Sequence, residues 1–279
     1  MKQSNGYVIG FSVACTVILG AMLSLAAVGL QEKQAEAIDL DKKKQILGAV
    51  MTLKEGDDAK AIYGKRIKSL VVDANGDEKQ GLVAEKVDIG KNYKLAAEAR
   101  EYPVFKFVSE SNPDEVEAYI LPIYGNGLWD RIWGYLAVGG DLKTVKGVVF
   151  DHKAETPGLG ARIADKEIQE RYVGKKLYDE KGTFMSVTML KSEKGNMLDD
   201  YKVDGMSGAT MTANGVNKMI KAYVAAYQPY LEKISKAKLA TPKETPVMDS
   251  TQVSMDTTKV VVDTTNTTKP AETTTPATK

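Results

Sequence analysis

The chain has 279 residues, 43% of them hydrophobic and 27% charged, with a formal net charge of +1 at pH 7. That balance excludes wholesale disorder and a nucleic-acid binder working through a broad basic face. One cysteine, Cys15, and one histidine, His152, exclude a disulfide framework, an Fe–S cluster, a cysteine-zinc site and a histidine-rich metal centre.

Residues 7–30 carry no charge, and about 20 such residues in a helix span the hydrocarbon core of a bilayer. We read 1–31 as an uncleaved membrane anchor. A cleavable signal competes, because Ala35-Glu36-Ala37 is a small-x-small site, but signal cores usually run only about 7–15 residues. A lipoprotein signal fits poorly, since Cys15 lies inside the apolar run. Lysines flank both ends of the run (Lys2, then Lys33 and the Lys42–Lys44 cluster), so charge alone does not orient it.

Residues 32–238 form the expected globular domain. Residues 39–53 predict a helix capped by Asp39, with Ile46, Leu47 and Val50 on one face. Strands are expected at 67–72, before an Asn75-Gly76-Asp77 turn, then at 104–108, 118–123, 132–138 and 145–150. Gly139-Gly140-Asp141 suits a hairpin between the last two. A further strand at 183–190, a polar helix at 164–172 and a stronger helix at 212–234, with Thr212 as its N-cap, complete the pattern. Strands framed by helices predict an α+β domain with a mainly antiparallel sheet. From about residue 239 the chain is rich in Thr and Pro and lacks apolar periodicity, so 239–279 is expected to be a disordered tail.

Three loops could carry chemistry. Gly125-Asn126-Gly127-Leu128-Trp129-Asp130 lacks the third glycine and the following helix of a dinucleotide fingerprint. It reads as a surface turn, or as an apolar wall for a flat ring through Leu128 and Trp129. In His152-Lys153-Ala154-Glu155-Thr156-Pro157-Gly158-Leu159-Gly160-Ala161-Arg162 two glycines and a proline let backbone amides approach a ligand closely, and Glu155 and Thr156 offer hydrogen bonds. An ordinary strand-to-helix connection has the same composition. Asp204-Gly205-Met206-Ser207-Gly208-Ala209-Thr210-Met211-Thr212 opens the last helix, where free amides and the helix dipole suit a phosphate. Gly205-Met206-Ser207 begins like a hydrolase elbow, but Ala209 replaces the second glycine and no histidine follows.

The segment Asp204–Thr210 resembles the flavinylation motif of proteins that carry FMN through a phosphoester to a threonine. The anchor, the Gly-Leu-Trp loop, the Glu-Thr-Pro-Gly-Leu-Gly loop and the Ser-Gly-Ala-Thr motif occur in the order of the NqrC family, one of the subunits of the Na+-translocating NADH:quinone reductases. The corresponding flavin-bearing protein of the Rnf electron-transport complex shares most of these features, but the Gly127-Leu128-Trp129 loop is closer to the quinone reductase. The resemblance implies covalent FMN on Thr210, attached by a separate flavin transferase, with Ser207, Gly208 and Ala209 around the phosphate. Glu155, Thr156, Gly158, Leu159 and Gly160, with Leu128 and Trp129, are the expected ring pocket. It further implies an electron relay partnered by the other subunits of a bacterial inner-membrane complex, with membrane lipid around the anchor, the domain in the periplasm and NADH oxidised elsewhere. The rival from another class is a membrane-tethered binding module without a cofactor. The Thr-rich tail departs from the family pattern.

Overall fold

The computed structural model describes residues 4–192 and 198–240. Its framework is an antiparallel meander of β1 (Ile67–Val72), β2 (Tyr102–Val108), β3 (Val116–Asn126), β4 (Arg131–Gly139) and β5 (Val145–His152), in that spatial order. Period-two alternation gives each strand two apolar faces. On one, Tyr119, Leu121, Ile123, Ile132 and Leu136 pack with Val216, Ile220, Tyr223 and Tyr227 of α5 (Thr210–Ala240). On the other, Ala118, Ile120, Tyr135 and Ala137 meet Ile46 and Leu47 at the end of α1 (Asn5–Gly48) and Tyr63 of α2 (Ala59–Arg66). The sheet is therefore covered on both sides, as an α+β domain requires. The long excursion between β1 and β2 holds only the one-turn α3 (Ile89–Asn92) and short 3₁₀ turns.

The five main strands and the hairpin at Gly139-Gly140-Asp141 form where expected. In that hairpin the Gly139 N–H donates to Thr144 O at 2.7 Å. Five expectations are corrected. The anchor and the helix from residue 39 are one uninterrupted helix, because the sequence Gln-Glu-Lys-Gln-Ala-Glu-Ala between them consists of strong helix formers. The expected anchor boundary at residue 31 thus falls inside α1. Asp39 caps nothing; it pairs with Lys43 one turn on, at 2.6 Å. Only Thr188–Met189 of the expected 183–190 strand forms, as β6, pairing parallel with β7 (Lys202–Val203). Ser186 interrupts the run with a left-handed φ of 63°. The 164–172 helix is shorter, split into a 3₁₀ turn (Gly160–Ala164) and α4 (Lys166–Glu170) by extended backbone at Asp165. Helix α5 begins at Thr210, so Thr212 lies inside its first turn and is no N-cap. Of the expected tail, residues 241–279 lie outside the described residues.

Candidate functional site

All three loops come together at one end of the domain, where β3 and β5 finish and α5 starts. The backbone of Gly215 in α5 lies against the carbonyl of Asn126, where a side chain would collide. Helix α1 leaves the domain at the same end. Its Gln45 donates to Asp151 of β5 at 3.2 Å, while Gly48 sits against Val149. The helix therefore runs antiparallel to β5 and departs past the strand's last residue.

The Gly127-Leu128-Trp129 turn is closed by the Gly127 N–H on Asp130 O at 2.8 Å. Trp129 is bound at two points: its backbone N–H donates to Glu155 Oε1 and its indole Nε1 to Thr156 Oγ1, each at 3.0 Å. The ring is nevertheless 69% exposed, with Leu128 at 49%, so the indole is a fixed, open wall. The Lys153 ammonium, 2.9 Å from Asp130, holds that carboxyl below the usual carboxylate range and is itself pushed up by it.

In the second loop the Thr156 carbonyl accepts the N–H groups of Leu159 and Ala161, both at 3.1 Å. Gly158 supplies a φ of 74° in open space, so its requirement is handedness. The close approach occurs instead at Gly160, packed on Thr212 and Glu155. Leu159 is 42% exposed and faces Gly208 of the third loop. His152 takes a structural part, its Nδ1 accepting the Glu155 N–H at 3.3 Å.

The third loop is fixed from two sides. Arg171 donates to the carbonyls of Gly205 at 2.8 Å and Asp204 at 3.4 Å. The side-chain amide of Asn217 accepts the Met189 N–H at 2.7 Å and donates to the Met189 carbonyl at 2.9 Å, tying α5 to β6. After Gly208, at a φ of 77°, the chain enters α5 with Thr210 as its first residue. The Thr210 side chain is half-buried, between exposed Ser207, Gly208 and Met211. Among the described residues the N–H groups of Thr210, Met211 and Thr212 have no protein acceptor, as expected of a first helical turn.

Ser207, Gly208, Thr210, Thr156, Gly158, Leu159, Leu128 and Trp129 thus reach the surface together, while Glu155, Gly160 and Ala209 are buried beneath them. Unliganded amides beside a hydroxyl fit a phosphate monoester, and the adjoining apolar platform fits a flat ring; FMN has both parts. A crevice of about 520 Å³ between α1 and the sheet, with Lys42, Tyr124 and Trp133 in its lining, lies on the other face from α5. The parts played by Arg171, Asn217 and the partner of Thr212 have no signature in the sequence, because each acts across at least 28 residues with no local spacing signal.

The FMN-binding domain family matches residues 127–225, which contain the second and third loops whole and the first from Gly127 on. The C-type subunit (NqrC) of the Na+-translocating NADH-quinone reductase of Vibrio vulnificus is 31% identical over 251 residues, covering 84% of this chain and 95% of that protein. Its Yersinia pestis counterpart is 30% identical over 261 residues, covering 85% and 97%. The crystal structure of the same component from Parabacteroides distasonis matches with a TM-score of 0.63 at 33% identity, covering 72% of this chain and 96% of that one. That of NqrC from Shewanella oneidensis matches with a TM-score of 0.62 at 28% identity, covering 72% and 99%.

Proposed function

The chain belongs to the NqrC family of the Na+-translocating NADH-quinone reductases, and from that premise we propose that its Thr210 carries FMN through a phosphoester. It is the FMN-bearing electron-transfer subunit of that oxidoreductase, and the other subunits of the complex are its partners. FMN supplies the reversible redox chemistry that side chains do not.

The observation that carries the assignment is the position of Thr210, a half-buried hydroxyl on the first residue of α5 beside three unpartnered amides. Ser207, Gly208 and Ala209 shape the turn around the phosphate, and the helix dipole favours its charge by roughly 0.3–1 kcal/mol. Leu128, Trp129 and Leu159 are the apolar platform for the ring, with Thr156 and Gly158 at its edge and Glu155 and Gly160 beneath. Because that platform is open, with Trp129 69% exposed, a covalent tether rather than enclosure retains the cofactor.

A separate flavin transferase installs the ester. Residues 7–30 of α1, whose apolar side chains mostly point outward, form a single-pass anchor in the bacterial inner membrane with lipid around it. The domain is periplasmic, its flavin end turned toward the bilayer because α1 departs there. Residues 32–238 make up the FMN-binding domain and 239–279 a tail.

Thr210→Ala removes the acceptor oxygen without disturbing the core. The variant, produced with the transferase, loses flavin fluorescence on a denaturing gel and keeps its fold. Retained fluorescence, or a flavin-bearing peptide mapped to another residue, overturns the assignment. Protease added to spheroplasts digests the domain; protection there with cleavage in inverted vesicles reverses the topology.

A further inference from the structure

Beneath the ring platform lies a buried carboxylate with no cation paired to it among the described residues. Glu155 is 4% exposed and Thr212 1%, and the Thr212 hydroxyl donates to Glu155 Oε2 at 2.6 Å. The other oxygen, Oε1, accepts the backbone N–H of Trp129 at 3.0 Å. Each oxygen is thus bound to a different loop, and Glu155 belongs to a third. The packing around the pair leaves no slack: a Cβ on Gly127 would strike Glu155, and one on Gly160 would strike both Thr212 and Glu155. A buried carboxylate is costly unless hydrogen-bonded, so the energy of these two bonds depends on all three loops holding their places.

We propose that Glu155 and Thr212 form a positioning strut that sets the ring platform relative to the attachment point. The inference rests on the flavin assignment above and adds a role for two side chains, neither of which is the attachment point. Thr212 is two residues after Thr210 on α5, and Glu155 holds the backbone of Trp129, whose indole is fixed in turn by Thr156. The strut therefore runs from the first turn of α5 through one carboxylate to the aromatic wall. Breaking it leaves the tether intact and loosens the wall relative to the first turn of α5.

Thr212→Val keeps the shape and removes the donor; Thr212→Ser restores a hydroxyl. In the full chain matured with the transferase, Thr212→Val keeps covalent flavin on the denaturing gel. Its native flavin fluorescence rises, because the indole no longer quenches from a fixed position, and the flavin absorbance bands and midpoint potential shift. Thr212→Ser returns all three to wild-type values, a rescue that a general loss of stability does not produce. A folded Thr212→Val chain with unchanged fluorescence, absorbance and potential overturns the strut.

A second arm needs no flavin. In a Trp133→Phe, Thr210→Ala background, Trp129 is the sole tryptophan, and adding Thr212→Val lowers its fluorescence anisotropy. Unchanged anisotropy also counts against the strut. If wild-type protein carries no covalent flavin, the attachment reading fails while this arm still decides the strut.

Discussion

Asn217 offers a direct measure of how the attachment motif is held. Strand β6 uses one edge for β7 and presents the N–H and C=O of Met189 on the other, where the Asn217 amide binds both, at 2.7 and 2.9 Å. The side chain imitates a neighbouring strand, and β7 leads directly into Asp204. Asn217→Ala removes two hydrogen bonds of roughly 0.5–1.5 kcal/mol each and leaves the backbone groups of a residue only 2% exposed partly unsatisfied. The expected loss is about 2–4 kcal/mol, read from thermal unfolding of the full chain in detergent. Asn217→Asp tests the polarity. The new carboxylate still accepts from the Met189 N–H but opposes its carbonyl, while the protonated form can donate to it. Folding therefore raises the pKa of the introduced carboxyl above its unfolded value. Its stability contribution is complete below the unfolded pKa and is lost as pH rises through the folded one. The Asn217→Asp deficit should shrink on acidification relative to wild type measured at each pH. A loss below about 0.5 kcal/mol for Asn217→Ala, or a deficit independent of pH, refutes the strand-mimic reasoning.

Gly158→Ala meets no atom but must hold a φ of 74°, costing about 1 kcal/mol, whereas Gly160→Ala drives a methyl into Thr212 and Glu155 and costs about 1–3 kcal/mol or more. Unfolding midpoints should rank them in that order, and the reverse ranking would mean the loop is set by handedness alone. Ser186 holds a left-handed φ of 63° and buries a hydroxyl with no hydrogen-bond partner among the described residues, so Ser186→Gly should stabilise the chain by about 1–2 kcal/mol; a lowered midpoint would show that the hydroxyl is satisfied in solution.

The local sequence determined those elements whose reason for existing is local. The uncharged run at 7–30, the alternating strands from residue 67 to 150 and the 3.6-residue periodicity of Val216, Ile220, Tyr223 and Tyr227 each encode one element through its own apolar pattern. The motif from Asp204 to Thr210 was legible for the same reason, as a contiguous turn opening a helix. Element ends were less legible. No residue between 31 and 38 breaks a helix, yet buried positions begin only at Ile46, so one continuous helix carries an exposed apolar run and then a packed end. A single left-handed residue, Ser186, cut a strand whose composition was otherwise suitable.

Tertiary structure decided which side chains face the ligand and which hold the loops. Glu155 and Thr156 are adjacent and similarly polar, but the fold buries the first against Thr212, 57 residues away, and leaves the second at the surface under the Trp129 indole. Thr212 has the sequence setting of a cap, because threonine beside a helix start usually is one; the preceding turn instead starts the helix at Thr210 and turns the hydroxyl inward. Arg171 and Asn217 bind backbone atoms brought near only when α4, β6 and α5 pack together. A hydrogen bond requires proximity within about 3 Å, which short-range spacing cannot encode for partners that meet only after the chain has folded.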